Sequence, residues 1–139
     1  MSYEEKGIWV YAVVTIATYI GFVVIVLQDA AGGSLAAVDY VPTMLWAIGI
    51  SIAAAMVGRI LVEIVRPSET YKVDTRDKDI SRRGEVVGGT ILGIGMVGPF
   101  ALTLLEVDHF WIAASMYTVF TLYAVVGSAV KLVAYRRGM

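Results

Sequence analysis

The sequence predicts an all-α membrane protein: a four-transmembrane-helix bundle made of two hairpins, with both termini on the cytoplasmic side. Of its 139 residues, 58% are hydrophobic and only 17% are charged, whereas soluble domains are nearer to half apolar and a quarter charged. The apolar residues form four long blocks, and the basic residues lie at or beyond the ends of these blocks. Composition and charge placement therefore predict the same class of protein.

Four apolar stretches are long enough to cross a bilayer. A spanning helix needs about 20 mostly apolar residues to cross about 30 Å of hydrocarbon. The stretches that meet this length are Ile8–Leu27, Val41–Val65, Val86–Leu105 and Phe110–Val130. Because backbone groups in lipid must be paired within the protein, each stretch is expected to be helical. We expect one transmembrane domain over residues 1–139, with a cytoplasmic linker at 66–85.

The basic residues predict the direction of insertion. They precede the first span, end the second, fill the linker or follow the fourth: Lys6, Arg59, Arg66, Lys72, Arg76, Lys78, Arg82, Arg83, Lys131, Arg136 and Arg137. The other two connections contain neither Lys nor Arg. Since Lys and Arg in short loops mark the cytoplasmic side, both termini are expected there.

Composition also excludes several kinds of site. The chain has no cysteine, which excludes disulfides and thiolate metal sites. Its one histidine, His109, excludes a haem held by two histidines of one chain. There is no basic excess to indicate a nucleic-acid partner. No catalytic motif is present, so we expect neither an enzyme nor a cofactor.

The third span is rich in glycine and contains a proline. Gly84 and Gly88, and Gly89 and Gly93, form two pairs of small residues four apart, a spacing that lets another helix approach closely in a membrane. We therefore expect this helix to be the central packing element, against its own chain or a second copy. Pro99 is expected to kink it by removing a backbone hydrogen bond.

The linker contains signals for a break and for a new helix. Pro67–Thr70 predicts the break after the second span. Asp74 is a suitable N-cap, and Asp77 stands three residues later, where a capping-box acid belongs. The third helix is therefore expected to begin in the cytosol and to continue into the membrane.

The linker also carries a pattern that resembles a known group of proteins. The pattern Asp-x-Arg-Asp-x-x-Ile-x-x-x-Gly-Glu is formed by Asp74, Arg76, Asp77, Ile80, Gly84 and Glu85. It resembles the cytoplasmic signature of small bacterial four-helix membrane proteins of unknown function. Segments 2–6, 108–112 and 134–138 are similar to those of actinobacterial members. The resemblance implies a four-helix fold in a bacterial inner membrane and implies no reaction.

Charges near membrane depth are candidate functional residues. Arg59 and Glu63 lie four apart in the second span, on one helix face, and Glu85 lies at the start of the third. We hypothesise a network of these three residues at the cytoplasmic side, joined by Arg82 or Arg83. A structural role is the main interpretation, and a role in proton or substrate binding is the alternative.

The connections that contain no basic residue carry several acids. Asp39 and Asp108 are expected to cap the helices that follow them. Glu106, Asp108 and His109 are a weak candidate for a divalent metal site. Solvated caps are the simpler interpretation, so no metal is expected.

Two classes of function fit these features. The first is a non-catalytic membrane protein whose partners are the lipid bilayer and a second copy or another membrane protein. The second is a small proton- or cation-coupled transporter or channel. Four-helix exporters of this size rely on an acid deep in the first helix, and Ile8–Leu27 has none, so the first class is favoured.

Overall fold

Helices make up almost all of the chain. The computed structural model describes residues 3–67 and 74–138, apart from the side chain of Ala36. Its elements are α1 (Tyr3–Ala30), a short 3-10 turn (Leu35–Ala37), α2 (Tyr40–Val65), α3 (Thr75–Gly95), α4 (Val97–Leu104) and α5 (His109–Arg136). Taking α3 and α4 as one interrupted span, the chain has four helices long and apolar enough to cross a membrane. No strand occurs in these residues. The predicted all-α class with four spans is confirmed, and the architecture is that of a multi-pass membrane protein.

The helices extend past the apolar stretches into their polar flanks. They contain 28 residues in α1, 26 in α2, 30 from Thr75 to Leu104, and 28 in α5. Glu4 and Glu5 lie in the first turn of α1, and Arg136 lies in the last turn of α5. These charges are opposite in sign to the helix ends they occupy, which stabilises the extensions.

The linker contains a helix start where the sequence predicts one. The backbone N–H of Asp77 donates to the Asp74 carboxylate at 2.8 Å, and the N–H of Asp74 donates to the Asp77 carboxylate at 3.1 Å. This reciprocal capping box begins α3, and the prediction is confirmed. On the other side, α2 ends at Val65, just before Pro67. The rest of the predicted break and Lys72 fall in 68–73, outside the described residues.

Asp39 and Asp108 occupy the N-cap positions of α2 and α5, but neither side chain makes a capping hydrogen bond. The prediction of side-chain caps is therefore wrong at both. For Asp39, Pro42 stands at the third helical position and has no N–H, which removes one of the two backbone donors that an N-cap side chain can use. For Asp108, the N–H of Trp111 donates to the backbone carbonyl of Asp108 instead, at 3.1 Å.

The third span is interrupted close to Pro99. The helix α3 ends at Gly95, Met96 forms a turn, and α4 begins at Val97. Pro99 has no N–H for the carbonyl of Gly95, four residues back, and its ring crowds that carbonyl. The interruption confirms that Pro99 disturbs this span.

The four spans lie in an open row. The helix α2 packs on α1, α1 packs on α5, and α5 packs on α3 and α4, so the order across the row is α2, α1, α5, α3–α4. Within the chain, the glycine-rich third helix is not the central element, because α5 has the long helices α1 and α3 on either side; whether the third helix packs on a second copy stays a prediction. The contact between α3 and α5 is the most extensive in the described residues.

The helices differ in chemistry between their two ends, which lie on opposite sides of the row. A cluster of buried apolar side chains joins α1, α2 and α5 near one end: Phe22, Val26, Ala47 and Phe110. The ring of Tyr117 stacks on Phe22 with centroids 5.1 Å apart. At the other end, α1 and α3 begin and α2 and α5 end. We call this the charged end, because ion pairs and charged hydrogen bonds join the helices there.

Candidate functional site

The motif residues of α3 face one side of α5. On α5, Tyr123, Gly127, Lys131 and Tyr135 stand four residues apart and therefore share a face. The motif residues of α3 contact this face in order along the helix. We call the surface between these two sets the α3–α5 seam.

The seam begins with Asp77, Arg76 and Tyr135. The hydroxyl of Tyr135 donates to the carboxylate of Asp77, which is buried. The guanidinium of Arg76 donates to the backbone carbonyl of Tyr135 at 2.9 Å and lies 5.5 Å from its ring centroid. Asp77 therefore belongs both to the capping box at the start of α3 and to the contact between α3 and the end of α5.

These contacts set the ionisation of both groups. Burial raises the pKa of Asp77, but the hydrogen bonds from Tyr135 and from Asp74 and the attraction of Arg76 together lower it below its ordinary value. The pKa of Tyr135 is raised, by burial and then by its bond to the Asp77 carboxylate. Asp77 is therefore held as the acceptor and Tyr135 as the donor.

The centre of the seam is a close approach of two helix backbones. Ile80 is only 2% exposed. A Cβ atom at Gly84 would lie 2.9 Å from the carbonyl oxygen of Gly127 and 2.5 Å from Lys131 side-chain carbons. One turn further, a Cβ atom at Gly88 would lie 3.1 Å from the ring of Tyr123. The first glycine pair is therefore packed within the chain, as small residues in membrane helices permit.

Glu85 completes the seam on its exposed side. Its carboxylate accepts from the hydroxyl of Tyr123 at 2.6 Å and from the ammonium of Lys131 at 3.0 Å. The side chain of Glu85 is 55% exposed and that of Lys131 is 18% exposed. An ion pair this open to its surroundings contributes little stability by itself, so it aligns the two helices more than it holds them.

A second group of charged contacts joins α1 to α2. The ammonium of Lys6, which is buried, lies 3.3 Å from the carboxylate of Glu63 and donates to the backbone carbonyl of Arg66. The guanidinium of Arg59 lies 3.5 Å from the carboxylate of Glu4 and 4.0 Å from the ring centroid of Tyr3.

The hypothesised network of Arg59, Glu63 and Glu85 is thus divided between two helix pairs. Arg59 and Glu63 contact α1, whereas Glu85 contacts α5. The partner residues Lys6, Lys131 and Tyr123 were not found from the sequence. The four-residue spacing on α5 is the signal that could have indicated two of them.

The second glycine pair has no neighbour within the described chain. A Cβ atom at Gly89 or at Gly93 would meet nothing within 4 Å among the described residues. Both glycines are exposed, on a face of α3 that does not pack on α5. The two pairs predicted from one pattern therefore lie in different surroundings.

The weak metal candidate is not assembled. Glu106 adopts a left-handed backbone (φ 55) after α4, Asp108 precedes α5, and His109 is its first residue. Among the described residues, no three acidic or histidine side chains converge as a set of metal ligands.

A groove runs along one face of the row, with α1 as its floor and α2 and α5 as its walls. It has a volume of about 530 Å³, and its lining includes Thr18, Met44, Ile48, Met116 and Phe120. A smaller cavity of about 120 Å³ adjoins the seam and is lined in part by Glu85 and Lys131. Both cavities are lined by Tyr11, Tyr123 and Ala124, so they meet.

Comparison with models of known protein families, with curated proteins and with solved structures finds no match for this chain.

Proposed function

We propose that this chain is a non-catalytic integral membrane protein that acts by associating with a second copy of itself or, as an accessory or regulatory subunit, with another membrane protein. The observation that carries the proposal is the open glycine pair of α3. Gly89 and Gly93 have the spacing of a helix-association surface, and the chain itself leaves both without a neighbour among the described residues. Within a membrane, such a surface favours another helix because it permits close van der Waals contact.

The arrangement of the row supports association. The helix α2 packs mainly on α1, and Ala47 is its one buried residue. The helices α2 and α3 stand at the two ends of the row, so each packs against a long helix on one side only. The open glycine pair therefore stands on a helix at the edge of the row, where a partner can reach it.

We place the protein in a bacterial cytoplasmic membrane with both termini inside. The described basic residues lie at or near the charged end, where α1 and α3 begin and α2 and α5 end. Basic residues mark the cytoplasmic side. The likeness of the motif from Asp74 to Glu85 to small bacterial membrane proteins supports the same location.

The proposal is tested by measuring the mass of the assembly in lipid nanodiscs or mild detergent by light scattering, together with affinity capture of bound proteins. Gly89→Leu combined with Gly93→Leu is expected to abolish the oligomer or the captured complex while leaving the melting temperature close to that of the unchanged chain. Gly98→Leu is the matched control. That glycine is also open, but Ile94 and Leu102 stand four residues from it, so it offers no pair of small residues.

Two results would contradict the proposal. One is a strictly monomeric chain that captures no partner. The other is flux of protons or cations through liposomes that contain the purified protein, which would favour the transporter alternative.

A further inference from the structure

The groove between α2 and α5 is open to the side. Both helices flank α1, but among the described residues they do not pack along each other. The lining contains the side chains of Met44, Met116 and Phe120, and the exposed fraction of Met116 is 40%. A molecule dissolved in the bilayer can therefore enter without crossing a helix.

Three hydroxyl groups in the body of the groove bond to their own helices. Thr18 donates to the carbonyl of Val14 at 2.9 Å, and Ser51 donates to that of Ile48 at 2.7 Å. Thr121 likewise donates to the carbonyl of its own helix one turn back, at 2.9 Å. A hydrated ion in this part of the groove would lose water without gaining equivalent ligands. The body of the groove therefore suits an apolar chain.

One end of the groove is polar and carries no net charge. The smaller cavity there is lined by the carboxylate-bearing Glu85 and the ammonium-bearing Lys131, which form an ion pair at 3.0 Å. Tyr11 lines both cavities, and its hydroxyl makes no hydrogen bond within the described residues. This end therefore offers a phenolic donor beside two charges that cancel.

We propose that the groove binds an uncharged membrane lipid whose head carries a carbonyl or hydroxyl oxygen. The head would accept a hydrogen bond from Tyr11, and the apolar tail would lie along α1 between α2 and α5. Because the charges of Glu85 and Lys131 cancel in their ion pair, neither an anionic nor a cationic head gains a net attraction that would offset its desolvation, so an uncharged head fits best. The volume of about 530 Å³ is within the range of known ligand pockets. Isoprenoid quinones and diacylglycerols share this chemistry.

The test measures binding to the full chain in phosphatidylcholine nanodiscs. A radiolabelled short-chain isoprenoid quinone and a radiolabelled diacylglycerol are titrated separately, with phosphatidylglycerol as the charged comparison. We expect saturable binding of at least one uncharged probe, and the stronger of the two identifies the source of the ligand.

Three variants locate the site. Tyr11→Phe is expected to weaken binding about fivefold, which corresponds to one hydrogen bond, without changing the melting temperature, because its hydroxyl has no hydrogen-bond partner among residues 3–67 and 74–138. Ser51→Phe fills the groove and is expected to abolish binding. Ala53→Phe adds the same ring to the exposed surface of α2, outside the groove lining, and is expected to bind as the unchanged chain does.

Several outcomes would overturn the inference. These are the absence of saturable binding of both uncharged probes, equal binding in Tyr11→Phe and Ser51→Phe, and preference for phosphatidylglycerol. A change of assembly mass in Ser51→Phe with unchanged lipid binding would show that a partner helix occupies the groove. Should Ser51→Phe fail to fold, Tyr11→Phe still decides the matter. Self-association through Gly89 and Gly93 can fail or hold without affecting these results.

Discussion

Tyr135 uses three different parts of its structure to connect α5 with the start of α3. Its hydroxyl donates to Asp77, its backbone carbonyl accepts from Arg76, and its ring lies within 5.5 Å of the Arg76 guanidinium carbon. Asp77 is in turn bonded to the backbone N–H of Asp74. At the scale of single residues, one phenol therefore supports both the cap of α3 and its contact with α5.

Removing the hydroxyl of Tyr135 tests this role. Tyr135→Phe is expected to lower the free energy of unfolding by about 1–2 kcal/mol, because a buried carboxylate loses a hydrogen-bond donor. The measurement is thermal or denaturant unfolding in detergent at neutral pH. Tyr11→Phe is the matched control, because the hydroxyl of Tyr11 has no hydrogen bond to lose within the described residues. Equal destabilisation by the two changes would contradict the assignment.

The same variant makes a prediction about pH. The pKa of Asp77 is lowered in the folded chain, whereas that of an unfolded aspartate is about 3.9. The stabilisation is therefore complete at neutral pH and is lost as the pH falls below about 4, through the folded pKa. Melting temperatures of the unchanged chain and Tyr135→Phe should converge over that interval. A difference that stays constant down to pH 3 would count against the Asp77 contact.

At the scale of helices, the motif residues from Asp74 to Glu85 form a packing surface. Asp77, Ile80, Gly84 and Glu85 each contact α5 or are buried toward it, and Asp74 caps the helix that carries them. Capping, packing or ion pairing thus accounts for the presence of each motif residue in this chain, without a role in substrate binding. The seam favours one register of the two helices of the second hairpin, because the backbones approach closely where Gly84 faces Gly127.

Substitutions at two glycines of α3 distinguish the effect of helix packing on stability from the effect of helix propensity. Gly84→Ala is expected to destabilise the chain by about 1–3 kcal/mol, because the added methyl group would meet the carbonyl of Gly127 and the helices would have to move apart. Gly89→Ala meets nothing in the described chain and is expected to be neutral or to stabilise by up to about 1 kcal/mol, through helix propensity. Unfolding in detergent measures both. Similar values for the two variants would refute the close approach at Gly84.

At the scale of the whole molecule, charge and apolar packing are separated along the helices. Lys6 with Glu63, Arg59 with Glu4, and Arg76 with Tyr135 bring the starts of α1 and α3 together with the ends of α2 and α5. The buried cluster around Phe22 and Phe110 lies toward the opposite end. The molecule therefore has one charged end, which suits contact with water and with anionic lipid headgroups.

This polarity predicts the topology in a cell. A fluorescent protein fused after Gly138 should fluoresce, because it folds in the cytoplasm, and alkaline phosphatase fused there should be inactive. Alkaline phosphatase inserted after Ser34, in the connection between α1 and α2, should be active on the periplasmic side. The reverse pattern at the two positions would overturn the orientation.

Local physical chemistry explains what could be predicted from the sequence. The class, the number of spans, the capping box at Asp74 and the interruption near Pro99 each depend on residues a few positions apart. The absence of side-chain caps at Asp39 and Asp108 is local as well. Pro42 has no N–H to donate to Asp39, and the N–H of Trp111 donates to the backbone carbonyl of Asp108 rather than to its side chain. The left-handed backbone of Ala31 and Glu106 (φ 47 and 55) was not predicted, because these residue types give little signal for that conformation.

The sequence by itself determined that four helices prefer lipid to water and which apolar stretches they contain, because burial of apolar side chains and pairing of backbone groups act within single segments. Only the tertiary structure decided that the helices form an open row with α5 inside it. It also decided that Glu63 pairs with Lys6 and Glu85 with Lys131, and that Gly84 is packed while Gly89 is open. In lipid, helix association depends on the fit of particular surfaces more than on hydrophobicity, and that fit is a property of two segments at once.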